Sequence, residues 1–150
     1  MEISRALLAA HFVTAAALLG AVLLAMILGH WYLVIPGLSF VHLRRITLLL
    51  AAALLLRLAV VSWSIVAGWS FWESAWQLDA TGFLLQHGFF LALRLLFGLA
   101  GPAILLLLIW ECVRIRSNTS ATGILYVATA VVLIGEIASH WFLTSSAILL

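Results

Sequence analysis

Four long apolar runs fill this chain, and polar residues interrupt them at only a few places. The runs cover roughly Ala6–Gly29, Ile46–Gly68, Gly88–Trp110 and Ala121–Leu143. An α-helix rises 1.5 Å per residue, so a run of about 23 residues can cross the hydrocarbon layer of a bilayer, which is about 30 Å thick. The pattern therefore predicts an all-α integral membrane protein, a bundle of four transmembrane helices.

The composition agrees with this prediction and leaves no room for a second domain. Of the 150 residues, 67% are hydrophobic and 8% are charged. We expect residues 1–150 to form one transmembrane domain whose loops are too short to fold alone. Cys112 is the sole cysteine, which excludes an internal disulfide and a thiolate metal cluster. The net charge of +2 is too small to indicate nucleic-acid binding.

Arginines in the short turns predict the orientation of the bundle. The first and third turns carry two arginines each, whereas the second carries acidic residues and no positive charge (Arg44, Arg45, Arg114 and Arg116; Glu73 and Asp79). The positive-inside rule then places the first and third turns in the cytoplasm. Both termini are expected on the outer, periplasmic side of a bacterial cytoplasmic (inner) membrane.

Ionisable residues lie inside the predicted spans, where a charge that faces lipid costs several kcal/mol. Successive residues of a helix are about 100° apart, so each span has one face that is more polar than the rest. We expect these faces to point into the bundle (His11 on the first span, Arg57 near the middle of the second, His87 and Arg94 on the third, Glu136 and His140 on the fourth).

Depth along the helices predicts two pairs among these residues. Arg94 and Glu136 lie at about equal depth on neighbouring helices and can neutralise each other. His11 and His140 also lie at about equal depth, one turn closer to the outside. Pro102, with Gly98 beside it, predicts a kink in the third span and a place where a neighbouring helix or a flat ligand can approach closely.

The first interpretation of this constellation is a b-type haem in the outer half of the bilayer. His11 and His140 would be its axial ligands, and His87 could replace one of them. Four-helix bundles build cofactor sites in this way, from side chains on facing helices. Arg94 would suit a haem propionate, and small residues would make room for the macrocycle.

The second interpretation is a quinone pocket, which needs no metal and can coexist with the first. His87 or His140 could bond a quinone carbonyl, and Glu136 could relay protons to the outer side. The third interpretation is purely structural. Arg94 and Glu136 would then form an internal salt bridge, and the histidines would only be solvated at the headgroup layer.

The segment Ala121–Ile137, ATGILYVATAVVLIGEI, resembles the closing helices of the membrane anchors of molybdopterin respiratory reductases. Those anchors, of the dimethylsulfoxide-reductase type, exchange electrons with membrane quinones. Gly135 and Glu136 are the most distinctive part of the likeness. The resemblance implies a respiratory, quinone-linked role.

The sequence thus predicts a small membrane subunit of a respiratory electron-transfer complex. It would contribute a haem b or quinone pocket, or both, and would not be a complete enzyme by itself. The expected partners are the lipid bilayer, other membrane subunits and an extrinsic redox subunit. The pocket residues would be His11, His87, Arg94, Glu136 and His140. The alternatives are a cofactor-free accessory subunit that stabilises a larger complex and, less favoured, a small transporter or channel.

Overall fold

A computed structural model describes residues 5–35, 39–68, 81–82, 85 and 87–146 of the chain. Its four long helices are α1 (Arg5–Val34), α2 (Phe40–Ala67), α3 (His87–Arg114) and α4 (Asn118–Ser146). All four are long and apolar enough to cross a membrane, which confirms the predicted helical class. The acidic residues of the second turn lie outside the described residues.

The helices form a closed ring in chain order. α1 packs on α2 and α4, and α3 also packs on α2 and α4, so α1 lies diagonally opposite α3. Small and branched side chains fill the centre of the ring, mainly in the half nearer the α1–α2 turn (Leu18, Val22, Ala25, Leu50, Leu54, Ile109, Leu125, Ala128 and Val132). Every helix also exposes large apolar side chains on its outer surface, as contact with acyl chains requires (among them Val13, Leu55, Leu107 and Ile137).

Local polar contacts close both short turns. At the α1–α2 turn, Ser39 caps α2 through its hydroxyl, which accepts from the backbone N–H of Val41, and Tyr32 donates its hydroxyl to the Ser39 carbonyl. At the α3–α4 turn, the backbone N–H of Arg116 bonds the Val113 carbonyl and that of Ser117 bonds the Cys112 carbonyl. This is a Schellman motif, with Arg116 in the left-handed region at φ 59°.

A wide turn interrupts α3 in its N-terminal half. Residues Leu96–Ala100 form a π-helical segment, in which the N–H of Gly101 reaches back to the Leu96 carbonyl. Pro102 follows directly and has no N–H to donate, so a regular i→i−4 ladder cannot continue through it. The predicted irregularity of the third span therefore takes the form of a π turn.

Candidate functional site

One polar layer crosses the half of the bundle that lies away from the α1–α2 turn, and every helix contributes to it. The ionisable members are His11 on α1, Arg57 on α2, Arg94 on α3 and Glu136 on α4. Arg57 and Glu136 each lie about 15 Å before the C-terminal ends of their helices, at 1.5 Å per residue. His11 and Arg94 lie about 10 Å after the N-terminal ends of theirs. The four side chains meet in the middle of the ring.

The Arg57–Glu136 pair joins diagonally opposite helices. The Nε of Arg57 donates to Oε1 of Glu136 at 3.0 Å, and its Nη2 donates to Oε2 at 2.6 Å. The side chain of Arg57 is fully buried, and that of Glu136 is 9% exposed. Two parallel charge-assisted hydrogen bonds in a low dielectric make this the strongest polar contact of the layer.

Arg57 also organises the α1 side of the layer. Its Nη1 donates to the backbone carbonyl of His11 at 2.9 Å and to the Thr14 hydroxyl at 3.4 Å. Its Nη2 lies 3.2 Å from Nε2 of His11 and 3.3 Å from the hydroxyl of Ser139. The same Nε2 lies 3.1 Å from that hydroxyl. A guanidinium can only donate, so the geometry assigns Nε2 of His11 as an acceptor and places the ring proton on Nδ1.

Arg94 completes the layer from α3 and brings a second positive charge. Its Nη1 donates to Oε1 of Glu136 at 3.2 Å and to the Gly135 carbonyl at 3.3 Å. Its Nε and Nη2 are buried and have no hydrogen-bond partner among the described residues. Within the described part of the chain, two buried guanidiniums therefore share one carboxylate beside a neutral imidazole. The layer therefore carries an excess positive charge and, with the Nδ1–H of His11, three buried donors that have no acceptor among the described residues.

Two glycines make room for this arrangement. A Cβ at Gly98 would overlap the guanidinium of Arg94. Because position 98 has no side chain, Arg94 can lie along its own helix toward Gly98. A Cβ at Gly135 would overlap the backbone of Gly98, so α3 and α4 approach at van der Waals distance at this level. The expected close approach of a neighbouring helix beside Pro102 is confirmed, and it lies against Glu136.

The structure brings together three of the five predicted site residues. His11, Arg94 and Glu136 lie in the polar layer, and the expected Arg94–Glu136 ion pair is present. His140 is exposed, with its ring 5.6 Å from that of Phe12. His87 is half-buried in an aromatic cluster further out, where its ring stacks on Phe142 at 6.2 Å.

The aromatic cluster lies one turn beyond the polar layer. The rings of Phe90 and Trp141 stack at a centroid separation of 3.9 Å, with Phe142 edge-on to Trp141 at 5.3 Å. Phe90 lies four residues before Arg94 on the same face of α3, and Trp141 follows Glu136 on α4. The aromatic cluster therefore lies one helical turn nearer the start of α3 than Arg94.

Three residues of the layer escape the sequence prediction of the site. The apolar run that begins at Ile46 predicts Arg57 at the middle of the span. The helix α2 begins earlier, at Phe40, and ends at Ala67, so Arg57 lies in its second half. The charge of Arg57 could have placed it in the predicted site, because an intramembrane arginine needs an acidic partner. Thr14 and Ser139 carry the weaker signal of lying three residues from His11 and Glu136, on the same helical faces.

The residues present do not fit a haem held by His11 and His140. An axial nitrogen needs a free lone pair directed at the iron, but Nε2 of His11 already accepts from a guanidinium and a hydroxyl. The Phe12 ring lies against both imidazoles, at 6.2 Å and 5.6 Å. Among the described residues, no group of three or more His, Cys, Asp or Glu side chains could hold a metal ion.

A comparison of the chain with protein families, with curated proteins and with solved structures finds no match.

Proposed function

We propose that the chain is a membrane subunit of an electron-transfer complex and that its polar layer binds a quinone. The excess positive charge of the layer is the observation that carries the proposal. Two guanidiniums and one carboxylate leave Arg94 with buried donors at Nε and Nη2. Leaving such donors without an acceptor in a low dielectric is costly, so a ligand with carbonyl oxygens is favoured at this place.

Quinone reduction uses what the layer supplies. A quinone takes up two electrons and two protons to become a quinol, and negative charge accumulates on its oxygens before protonation. The Arg94 guanidinium would stabilise that charge by hydrogen bonding to one oxygen. Glu136, whose side chain is 9% exposed, would relay protons to the quinone oxygens. The electrons would come from a reduced redox centre of a partner subunit.

The surroundings favour a flat, apolar ligand over a small inorganic anion. Phe90, Trp141 and Phe142 form an aromatic cluster one helical turn from Arg94, and offset stacking on such rings is favourable for a quinone head. The likeness of the Gly135–Glu136 segment to quinone-linked membrane anchors points in the same direction. A b haem is not part of the proposal, because His11 is committed to Arg57 and Ser139.

The competing proposal is an accessory subunit in which the layer only holds the helices together. The contacts that favour it are those of Arg57, whose hydrogen bonds tie α2 to both α1 and α4 and would serve a scaffold equally well. Buried Arg–Glu–Arg groups can specify packing without binding anything.

Arg94→Met distinguishes the two proposals, because it removes the unpartnered donors and leaves the Arg57–Glu136 pair intact. The measurement is the binding of a short-chain benzoquinone or naphthoquinone to the chain in lipid nanodiscs, followed by quenching of tryptophan fluorescence. We expect saturable quinone binding by the natural sequence. Arg94→Met should bind quinone at least about tenfold more weakly, because it loses a charged hydrogen bond.

Arg45→Met is the matched control, since it removes an exposed arginine at the other end of the bundle. It should bind quinone like the natural sequence. Saturable binding that Arg94→Met leaves unchanged, or no saturable binding to the natural sequence in its intact complex, would refute the quinone site and leave the accessory role.

A further inference from the structure

A basic cavity lies at the opposite end of the bundle from the polar layer. It has a volume of about 360 Å³, within the range of small-molecule pockets, and opens between the start of α2 and the end of α3. Three of its lining residues are arginines and two are aromatic (Arg44, Arg114, Arg116, Phe40 and Trp110). This is the end that the positive-inside rule assigns to the cytoplasm.

The arginines of this cavity are held in place from both helices. The guanidinium of Arg44 lies over the Trp110 ring at 5.8 Å, and that of Arg116 lies over the Phe40 ring at the same distance. Arg114 pairs with Glu111 at 2.7 Å, which offsets one of the three charges. Arg44 and Arg116 form no ion pair among the described residues, so the cavity retains two uncompensated positive charges.

Arg116 occupies a backbone conformation that an arginine adopts at a cost. It stands at the C′ position of the Schellman motif with φ 59°, where glycine is the usual residue. The left-handed conformation turns its side chain back over Phe40 and into the lining of the cavity. Strain retained at a charged lining residue is typical of a binding site.

An apolar groove continues from the cavity toward the middle of the bilayer. Its volume is about 210 Å³, and it runs between α2 and α3 along Thr47, Leu48, Ala51, Leu106 and Leu107. Trp110 lines both spaces, so the groove and the cavity adjoin. The groove spans about 6 Å along α2, from Thr47 to Ala51, and its far end lies about 16 Å from the start of α2 at Phe40, at 1.5 Å per residue.

We propose that this end of the bundle binds one anionic phospholipid, with its phosphate among Arg44, Arg114 and Arg116 and an acyl chain in the groove. Charge complementarity selects the headgroup, and a basic pocket between helices at the cytoplasmic interface is a suitable receptor for one. The adjoining apolar groove favours a lipid over a free phosphate, which would leave the groove without an occupant. The site is independent of the proposed quinone function.

The test is native mass spectrometry of the chain, in its complex where it forms one, titrated with phosphatidylglycerol or with phosphatidylcholine. We expect one phosphatidylglycerol to be retained in preference to phosphatidylcholine. Arg44→Gln should lower the affinity for phosphatidylglycerol about fivefold, as the loss of one interfacial arginine predicts. Arg45→Gln is the matched control, because Arg45 is its exposed neighbour outside the cavity lining, and it should change the affinity less than twofold.

Two further variants distinguish a lipid site from arginines that only stabilise the turn. Ala51→Phe fills the groove and should weaken phosphatidylglycerol binding without removing any charge. Arg116→Gly relieves the left-handed strain, so it should raise the thermal unfolding temperature while weakening lipid binding. A residue with a merely structural role would not move the two measurements in opposite directions.

Glycerol phosphate and inorganic phosphate, added at millimolar concentration, are the soluble competitors. We expect neither to displace the lipid. Displacement by either competitor, equal retention of the two lipids, or equal effects of Arg44→Gln and Arg45→Gln would overturn the proposal.

Discussion

The contact between α3 and α4 gives a sharp prediction for Gly135→Ala. A Cβ at position 135 would overlap the Cα of Gly98 and lie 2.6 Å from its backbone nitrogen and 2.9 Å from the carbonyl carbon of Phe97. These are backbone atoms of a packed helix and cannot move aside as a flexible side chain can. Ordinary contact begins at 3.4 Å, so the two helices must separate by about 1 Å.

That separation would break the α3 side of the polar layer. The hydrogen bonds from Arg94 to Glu136 and to the Gly135 carbonyl are 3.2 Å and 3.3 Å long, and an added distance of about 1 Å takes both beyond hydrogen-bonding range. Gly123→Ala on the same helix is the control, since a Cβ there meets nothing within 4 Å. Both substitutions gain the same helix propensity, so their difference isolates the overpacking cost of about 1–3 kcal/mol.

The assay is equilibrium unfolding in mixed micelles, in which sodium dodecyl sulfate is titrated and helicity is followed by circular dichroism. We expect Gly123→Ala to be at least as stable as the natural sequence. Gly135→Ala should be less stable than Gly123→Ala by the overpacking cost of about 1–3 kcal/mol. Equal unfolding midpoints for the two variants would refute the proposed approach of α3 and α4.

Two further predictions use the same unfolding assay. Substitutions in the charged layer should destabilise the bundle most for Glu136→Gln, less for Arg57→Met and least for Arg94→Met. Glu136→Gln leaves two buried guanidiniums without a counter-ion and should cost about 3–5 kcal/mol. Arg94→Met neutralises the excess charge and should cost about 1 kcal/mol or less. A lower stability for Arg94→Met than for Arg57→Met would contradict this charge balance. His11→Phe should destabilise by about 1–3 kcal/mol because it removes the acceptor beside Arg57, whereas His140→Phe should be nearly neutral at its exposed position, and equal losses for the two would count against the assignment of His11.

The fold is predictable from the sequence because length and apolarity suffice for a membrane helix. Four runs of about 23 apolar residues predict four spans, and the helices α1 to α4 contain all four of them except for Gly68, the C-cap of α2. The Arg94–Glu136 ion pair is also predictable, since both residues lie at similar depth on helices joined by a short turn. Burial of a charge in lipid is costly enough to leave few alternative partners.

The finer pairing in the layer cannot be read from periodicity. His140 and Ser139 are adjacent, but successive side chains on a helix point about 100° apart, so a small rotation of α4 decides which of them meets His11. That rotation depends on the close contact of Gly135 with α3 and on the wide turn before Pro102. Arg57 likewise reaches Glu136 across the diagonal of the ring, and a neighbour-by-neighbour comparison of helices does not consider that pairing.

The π turn at Leu96–Ala100 determines which way Arg94 faces relative to the rest of the polar layer. It holds one residue more than a regular turn, so the part of α3 before it is rotated relative to the part after it. Deleting a single residue there would let the helix close into an ordinary ladder and would swing Arg94 by about 100°, out of the ring and toward the acyl chains. The charge balance of the bundle thus depends on the count of residues in this segment, apart from their chemical identity.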